Sequence, residues 1–137
     1  EANHWFFPTD LTYLVRGGRV SKTSGFFGNM LNICPLLNVD FEGRLIPRAK
    51  IRTKKKVIQT TADKMLELCN NGADYDEECI INHSDCYEDA VALAEAVVER
   101  MPKLKDKITI NFIGTTIGSH TGPGTVALFF WGQKRVD

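Results

Sequence analysis

The run Gly114-Thr115-Thr116-Ile117-Gly118-Ser119-His120-Thr121-Gly122-Pro123-Gly124 gathers glycines, hydroxyls and a histidine in one short stretch. Glycine permits positive φ and close approach of a ligand to the backbone. Successive peptide N–H groups in such a turn can form a concave anion site. Thr115, Thr116, Ser119 and Thr121 add hydroxyl donors, and His120 adds one whose charge can switch. These residue types favour a cradle for a small anionic group, a carboxylate or a phosphate. The competing reading is a plain glycine-rich connection between two buried strands. Several known motifs are excluded. A phosphate-binding P-loop needs Lys-Ser/Thr after its last glycine, and Pro123-Gly124-Thr125 has no lysine. A hydrolase elbow needs a central serine, but Gly118-Ser119-His120-Thr121-Gly122 has His120 there. The glycine spacing does not fit the dinucleotide-binding pattern either.

A second chemical concentration is cationic. Arg48, Lys50 and Arg52 alternate with Ala49 and Ile51, which predicts three cations on one face of a strand. Lys54-Lys55-Lys56 then fills what reads as the first turn of a helix, where the partial positive charge of the helix end disfavours cations. Local rules broken this often mark a candidate site. The expectation is an acidic partner surface or a phosphate near Arg52, Lys54, Lys55 and Lys56, weighed against a merely solvated basic edge. The remaining reactive side chains are less suggestive. Cysteines stand at 34, 69, 79 and 86 with no Cys-x-x-Cys pair, and read as reduced thiols of a cytoplasmic protein. Cys79, His83 and Cys86 match no common zinc spacing, so no metal and no cofactor is expected. His83 reads as a satisfied histidine at a strand end rather than a ligand-binding one.

The elements that must position these residues follow from periodicity. His4 to Pro8 reads as a short strand, at an edge because Pro8 cannot donate to a ladder. Thr9 or Asp10 caps a short helix through Arg16, ended by Gly17-Gly18. Lys22 to Asn32 places Phe26, Phe27, Met30 and Leu31 on one helical face, for core packing or the lining of an apolar ligand cavity. Ile33 to Asp40 and Leu45 to Arg52 form a hairpin around Glu42-Gly43. Thr53 caps a helix to Cys69, with Val57, Ile58, Ala62, Met65, Leu66 and Cys69 on its apolar stripe, stopping near Asn70-Asn71-Gly72. Glu78 to Ser84 is a strand. Ser84 or Asp85 caps the next helix, from Tyr87 to about Met101, with Glu88 and Asp89 in its favoured first turn and Pro102 at its exit. Ala90, Leu93, Ala94, Val97, Val98 and Met101 form its stripe. Lys107 to Ile113 and Thr125 to Gln133 are strands on either side of the glycine loop. The order predicts an α+β two-layer sandwich, a mixed sheet with helices packed mainly on one face.

Composition narrows function. The chain has 137 residues, 43% hydrophobic and 25% charged, with a formal net charge of zero. That fits one globular domain, and it gives no global field favouring nucleic acid or an anionic membrane. The run Val126 to Trp131 is too short to span a bilayer. The opening residues do not read as a signal peptide, and the missing initiator Met makes the chain a candidate piece of a longer protein.

Two blocks resemble signatures of the DegV family of bacterial fatty-acid-binding proteins. One is Gly17-Gly18-Arg19-Val20-Ser21-Lys22 with Gly28-Asn29-Met30-Leu31-Asn32-Ile33-Cys34-Pro35-Leu36-Leu37. The other is Ile117-Gly118-Ser119-His120-Thr121-Gly122-Pro123-Gly124 with Leu128-Phe129-Phe130. Lys50-Ile51-Arg52 with its lysine run, and His83-x-Asp85, also fit. The resemblance runs over nearly the whole chain and implies that residues 1–137 are the C-terminal domain of a two-domain protein. It implies a long-chain fatty acid held at the junction with the protein's own N-terminal domain, and a separate fatty-acid kinase that phosphorylates the carboxylate. His120 would approach that carboxylate, with Ser119, Thr121 and Gly122 beside it in the loop. Arg19 and Arg52 would lie near the head group or the kinase face, with Lys54 and Lys55 adjacent. The domain would be a carrier without chemistry of its own. The alternatives are a small acyl or phosphoryl transferase using His120 as acid or base, and a nucleic-acid binder using Arg48 to Lys56, which the zero net charge disfavours.

Overall fold

The computed structural model describes residues 2–7, 34–39, 45–113 and 124–132. Among these, six strands form one mixed sheet: β1 (Ala2–Phe7), β2 (Cys34–Val39), β3 (Leu45–Ile51), β4 (Cys79–His83), β5 (Thr109–Phe112) and β6 (Val126–Trp131). The strand order is β3-β2-β1-β6-β4-β5. Only β4 and β5 pair in parallel; the other neighbours are antiparallel. Two α-helices accompany the sheet, α1 (Lys54–Leu68) and α2 (Tyr87–Arg100), with short 3-10 turns at Gly72–Asp74 and Pro102–Leu104. This is the expected α+β architecture. The helices predicted before residue 33 and the Glu42-Gly43 turn lie outside the described residues.

Alternation explains the core. Trp5 and Phe7 of β1, Ile81 of β4, and Val126, Leu128 and Phe130 of β6 share one buried cluster with both helices. Strand residues two apart point to the same face, so each strand supplies every second residue to this layer. From α1 come Val57, Ile58, Ala62 and Met65; from α2 come Ala90, Leu93, Ala96 and Val97. Those positions recur at helical spacing, as one apolar stripe per helix requires. Ala96 joins the predicted stripe, while Ala94 and Val98 are only partly buried. Polar contacts fix the helix pair at its far end. Arg100 Nε donates to Asp63 Oδ1 at 2.7 Å, and its Nη2 donates to Gln59 Oε1 at 2.7 Å.

Three local expectations are corrected. β1 is not an edge strand: Trp5 pairs with Asn38 on one side and Leu128 on the other. The described strand ends at Phe7, and Pro8 lies outside the described residues. The three-cation face is interrupted as well. Leu36 pairs with Ala49 but Leu37 pairs with Pro47, so Arg48 is an extra, bulged residue. Arg48 Nε donates to Asn38 Oδ1 at 2.7 Å, and Arg52 falls beyond the strand. Finally, neither Ser84 nor Asp85 caps α2. The N-cap is Cys86 without a side-chain cap bond, and His83 Nδ1 accepts its N–H at 3.1 Å. Asp85 has φ 58°, left-handed rather than the extended backbone a capping residue takes. The Ser84 main chain is engaged by Thr125 and Gly124. By contrast Thr53 caps α1 as predicted, its Oγ1 accepting from Lys56 N at 3.1 Å.

The sheet closes on α1 at one tight point. Asn70 N donates to Trp131 O at 3.2 Å, and Gly132 bridges Cys69. The buried Tyr75 hydroxyl accepts from Trp131 N at 3.0 Å and donates to Glu78 O. Burial pushes the Tyr75 phenol up to about 12. A Cβ on Gly132 would stand 2.2 Å from the Leu68 carbonyl oxygen, a backbone atom that cannot swing aside. Gly132→Ala is therefore expected to cost about 2 kcal/mol or more in urea unfolding. Gly72→Ala, whose Cβ would meet nothing within 4 Å but whose φ is +54°, is expected to cost about 1 kcal/mol. Equal losses from the two variants would contradict the close approach at Gly132.

Candidate functional site

Register brings the chemistry-bearing segments to one end of the sheet. Val126, at the start of β6, pairs with Phe7 at the end of β1 and with His83 at the end of β4. His83 pairs in turn with Phe112 at the end of β5. Cys34 opens β2 opposite Ile51, which closes β3. Phe7 and Cys34 bracket residues 8–33; Ile113 and Gly124 bracket residues 114–123. All four brackets sit at this end. The last two are pinned to the same strand terminus: Ile113 N donates to His83 O at 2.8 Å, and Gly124 N donates to Ser84 O at 2.7 Å. His120, Ser119, Thr121, Gly122 and Arg19 themselves lie outside the described residues.

Both helices start here too. Lys54 Nζ lies 3.1 Å from Asp89 Oδ2, linking the first turn of α1 to the first turn of α2. Two helix N-termini at one end add two partial positive charges, and the unsatisfied N–H groups of first turns are anion donors. The α1 terminus is reinforced by side chains. Lys50, Arg52, Lys55 and Lys56, with Thr53 and Gln59, line a cleft of about 660 Å³. Lys54 is held by Asp89, so of the expected partner-binding cations Arg52, Lys55 and Lys56 line this cleft and Lys54 does not. The α1 first turn contains no acidic residue. The α2 start is different, with Glu88 and Asp89 in its first turn.

Aromatic rings mark the α2 side. His83 is 6% exposed, while Tyr87 and Phe112 beside it are 60% and 58% exposed. Both rings meet the imidazole edge-on, with centroids at 5.7 Å and 5.5 Å. No periodicity marks Tyr87 and Phe112 as neighbours. They meet because β4 and β5 run parallel and α2 leaves directly after β4. A separate, mostly apolar cleft of about 430 Å³ between α2 and β5 includes Val91, Val98, Ile108 and Ile110 and is not built from the segments above.

The cysteines do not form a ligand set. Cys79 is buried in the core and its thiol is pushed up to about 12 by desolvation. Burial also raises Cys34 and Cys86, with nearby Lys54 pulling the other way. Cys86 Sγ contacts Thr125 O at 3.4 Å, and His83 Nδ1 is occupied by Cys86 N. Among the described residues no cluster of three or more His, Cys, Asp or Glu is placed to hold a metal ion. Nor is any described helix long and apolar enough to cross a membrane.

Comparison with known proteins agrees with the sequence resemblance. The family model described as "Uncharacterised protein, DegV family" matches residues 1–133. A DegV domain-containing protein of Clostridium perfringens is 41% identical over 132 residues, which is 96% of this chain and 44% of the relative. A crystal structure of a fatty acid binding DegV family protein from Streptococcus agalactiae superposes with a TM-score of 0.79 at 32% identity, covering 93% of this chain and 44% of that one. A DegV family protein from Thermus thermophilus, described for its fatty acid binding, gives a TM-score of 0.78 at 26% identity, over 97% and 46% of the two chains. The chain thus spans under half the length of these relatives.

The cationic first turn of α1 yields a direct test of electrostatics. Each lysine there opposes the helix dipole by a few tenths of a kcal/mol. The double variant Lys55→Glu/Lys56→Glu is expected to stabilise the fold by about 0.5–1 kcal/mol in low-salt urea unfolding, with most of the gain lost at high salt. A loss of stability would show that these lysines make structural contacts instead.

Proposed function

The chain belongs to the DegV family, and on that premise we propose that it is the C-terminal, head-group-facing domain of a two-domain fatty-acid carrier. The acyl tail is bound mainly by burial. Each buried methylene is worth about 0.8 kcal/mol, so a long saturated tail contributes on the order of 10 kcal/mol. A charge-assisted hydrogen bond to the carboxylate adds only about 1.5–3 kcal/mol. Tail burial therefore sets affinity, and the loop 114–124 sets where the head group stops. The observation that carries this reading is the convergence described above. The brackets of the glycine loop, the brackets of residues 8–33, two helix N-termini and the basic cleft share one sheet end.

In this reading His120 donates to the carboxylate, with Ser119, Thr121 and Gly122 completing the cradle and Arg19 nearby. The junction with the protein's own N-terminal domain lies over this end. The cleft cations Arg52 and Lys55, with Lys54 adjacent, meet an acidic surface of a separate fatty-acid kinase, which supplies the phosphoryl group. The domain supplies placement and no bond-making step. Association through exposed cations is expected to weaken as ionic strength rises.

In the intact two-domain protein, His120→Ala is expected to slow kinase-dependent phosphoryl transfer by about 10-fold or more while native mass spectrometry still detects bound fatty acid. Loss of the lipid with a normal transfer rate on the fraction still loaded would overturn the role given to His120. Turnover without any added kinase would instead favour an enzyme with His120 as acid or base.

A further inference from the structure

The imidazole of His83 is a hydrogen-bond donor that the described residues hold in place and do not use. Its Nδ1 accepts from Cys86 N at 3.1 Å, so the ring proton sits on Nε2. That bond faces the start of α2, which directs Nε2–H away from it. The residue is 94% buried by its 6% exposure, yet Nε2 has no partner among the described residues. Among the described residues the fully buried side-chain polar atom without a partner is Trp5 Nε1, not a His83 nitrogen. A buried donor without a partner costs free energy, and native folds rarely leave one unless something outside completes it.

The surroundings fit a ligand. Tyr87 and Phe112, both exposed, meet the ring edge-on at 5.7 Å and 5.5 Å. The His83 carbonyl accepts Ile113 N and the Ser84 carbonyl accepts Gly124 N, so the donor lies at the base of both brackets of loop 114–123. His83 closes β4 beside parallel β5, at the carboxyl ends of both strands. The charges nearby are mixed. Asp85 and Glu88 are exposed on the α2 side, and Asp89 is paired with Lys54.

We propose that His83 Nε2–H, flanked by Tyr87 and Phe112 and by the anchors Ile113 and Gly124, is an oxyanion-binding donor. The ligand presents a carboxylate or phosphate oxygen to it, either from the lipid head group or from free phosphate. Placement at the head group rests on the carrier reading above; the donor itself does not. His83 is a binding residue that the sequence pattern hid, because its other nitrogen satisfies the helix start.

The test is long-range 1H–15N NMR of the histidine rings in this chain, titrated separately with sodium phosphate and sodium acetate. The expected result is a His83 ring protonated on Nε2 whose Nε2 resonance shifts in a saturable way. A stronger response to phosphate points to free phosphate, and a stronger one to acetate points to a carboxylate head. The variant His83→Asn keeps a short acceptor for Cys86 N and loses the outward N–H. It is expected to raise the dissociation constant by roughly 10-fold with an unchanged unfolding midpoint. A proton on Nδ1, or a ring that responds to neither anion, overturns the proposal, and the wild-type titration decides this even if the variant misfolds. Mass spectrometry for retained fatty acid keeps the two readings apart. Lipid present with a silent His83 sinks the donor alone; a responsive His83 with no lipid in the intact protein sinks the carrier reading alone.

Discussion

The structure depends on one register point. Val126 pairs at once with Phe7 and with His83, because β6 lies between β1 and β4. That triple alignment puts the chain brackets of residues 8–33 and 114–123 at the same height in the sheet. A slip of one residue would turn Leu128 and Phe130 out of the core and Ala127 and Phe129 into it. Val126, Leu128 and Phe130 are fully buried, so the slip is strongly disfavoured. The precision of the site end is therefore a by-product of core packing. Nothing in the loops has to specify it.

The same register sets the electrostatics. The chain has zero net charge, yet its sheet end collects Lys50, Arg52, Lys55 and Lys56 around a helix N-terminus. Fixed dipoles and cations in one cleft raise the local concentration of an anionic partner even when the whole molecule is neutral. α2 balances its dipole with Glu88 and Asp89, and α1 does not. The Lys54–Asp89 pair joins the two starts, so the contrast between them is built across a short distance. A fold selected for stability alone would have placed acids at both.

Much of this was legible in the sequence, for reasons that differ by element. The α1 stripe and Thr53 cap depend on local spacing and local hydrogen bonds, and the structure agrees with them; the helix ends at Leu68 with Cys69 as its C-cap, one residue before the expected end. The β2–β3 hairpin was visible too, but the Arg48 bulge was not, since bulges arise from how two strands match rather than from either alone. A proline next to a strand suggests an edge from sequence alone, but β1 is paired on both sides, which only the sheet reveals. The α2 start was assigned to Ser84 or Asp85 because their residue types favour caps. The main chain of Ser84 is held by Thr125 and Gly124, which is tertiary information. Composition and family resemblance single out the glycine loop, which lies outside the described residues, whereas the alignment of its anchors Ile113 and Gly124 with the other brackets comes only from the sheet. Exposed Tyr87 and Phe112 carried no periodic signal at all.

In the proposed carrier, the acidic end of a bound lipid rests at the Val126 end of the sheet. Paramagnetic relaxation by a stearate spin-labelled close to its carboxyl tests it most directly. The intact two-domain protein is loaded with this lipid and the backbone amides of residues 1–137 are read by NMR. Broadening at Phe7, Ser84, Ile113 and Gly124, with Ala2, Asn71 and Gly132 unaffected, is the predicted result. Broadening centred on Asn71 and Gly132, or on the Val91–Val98 face of α2, would contradict it.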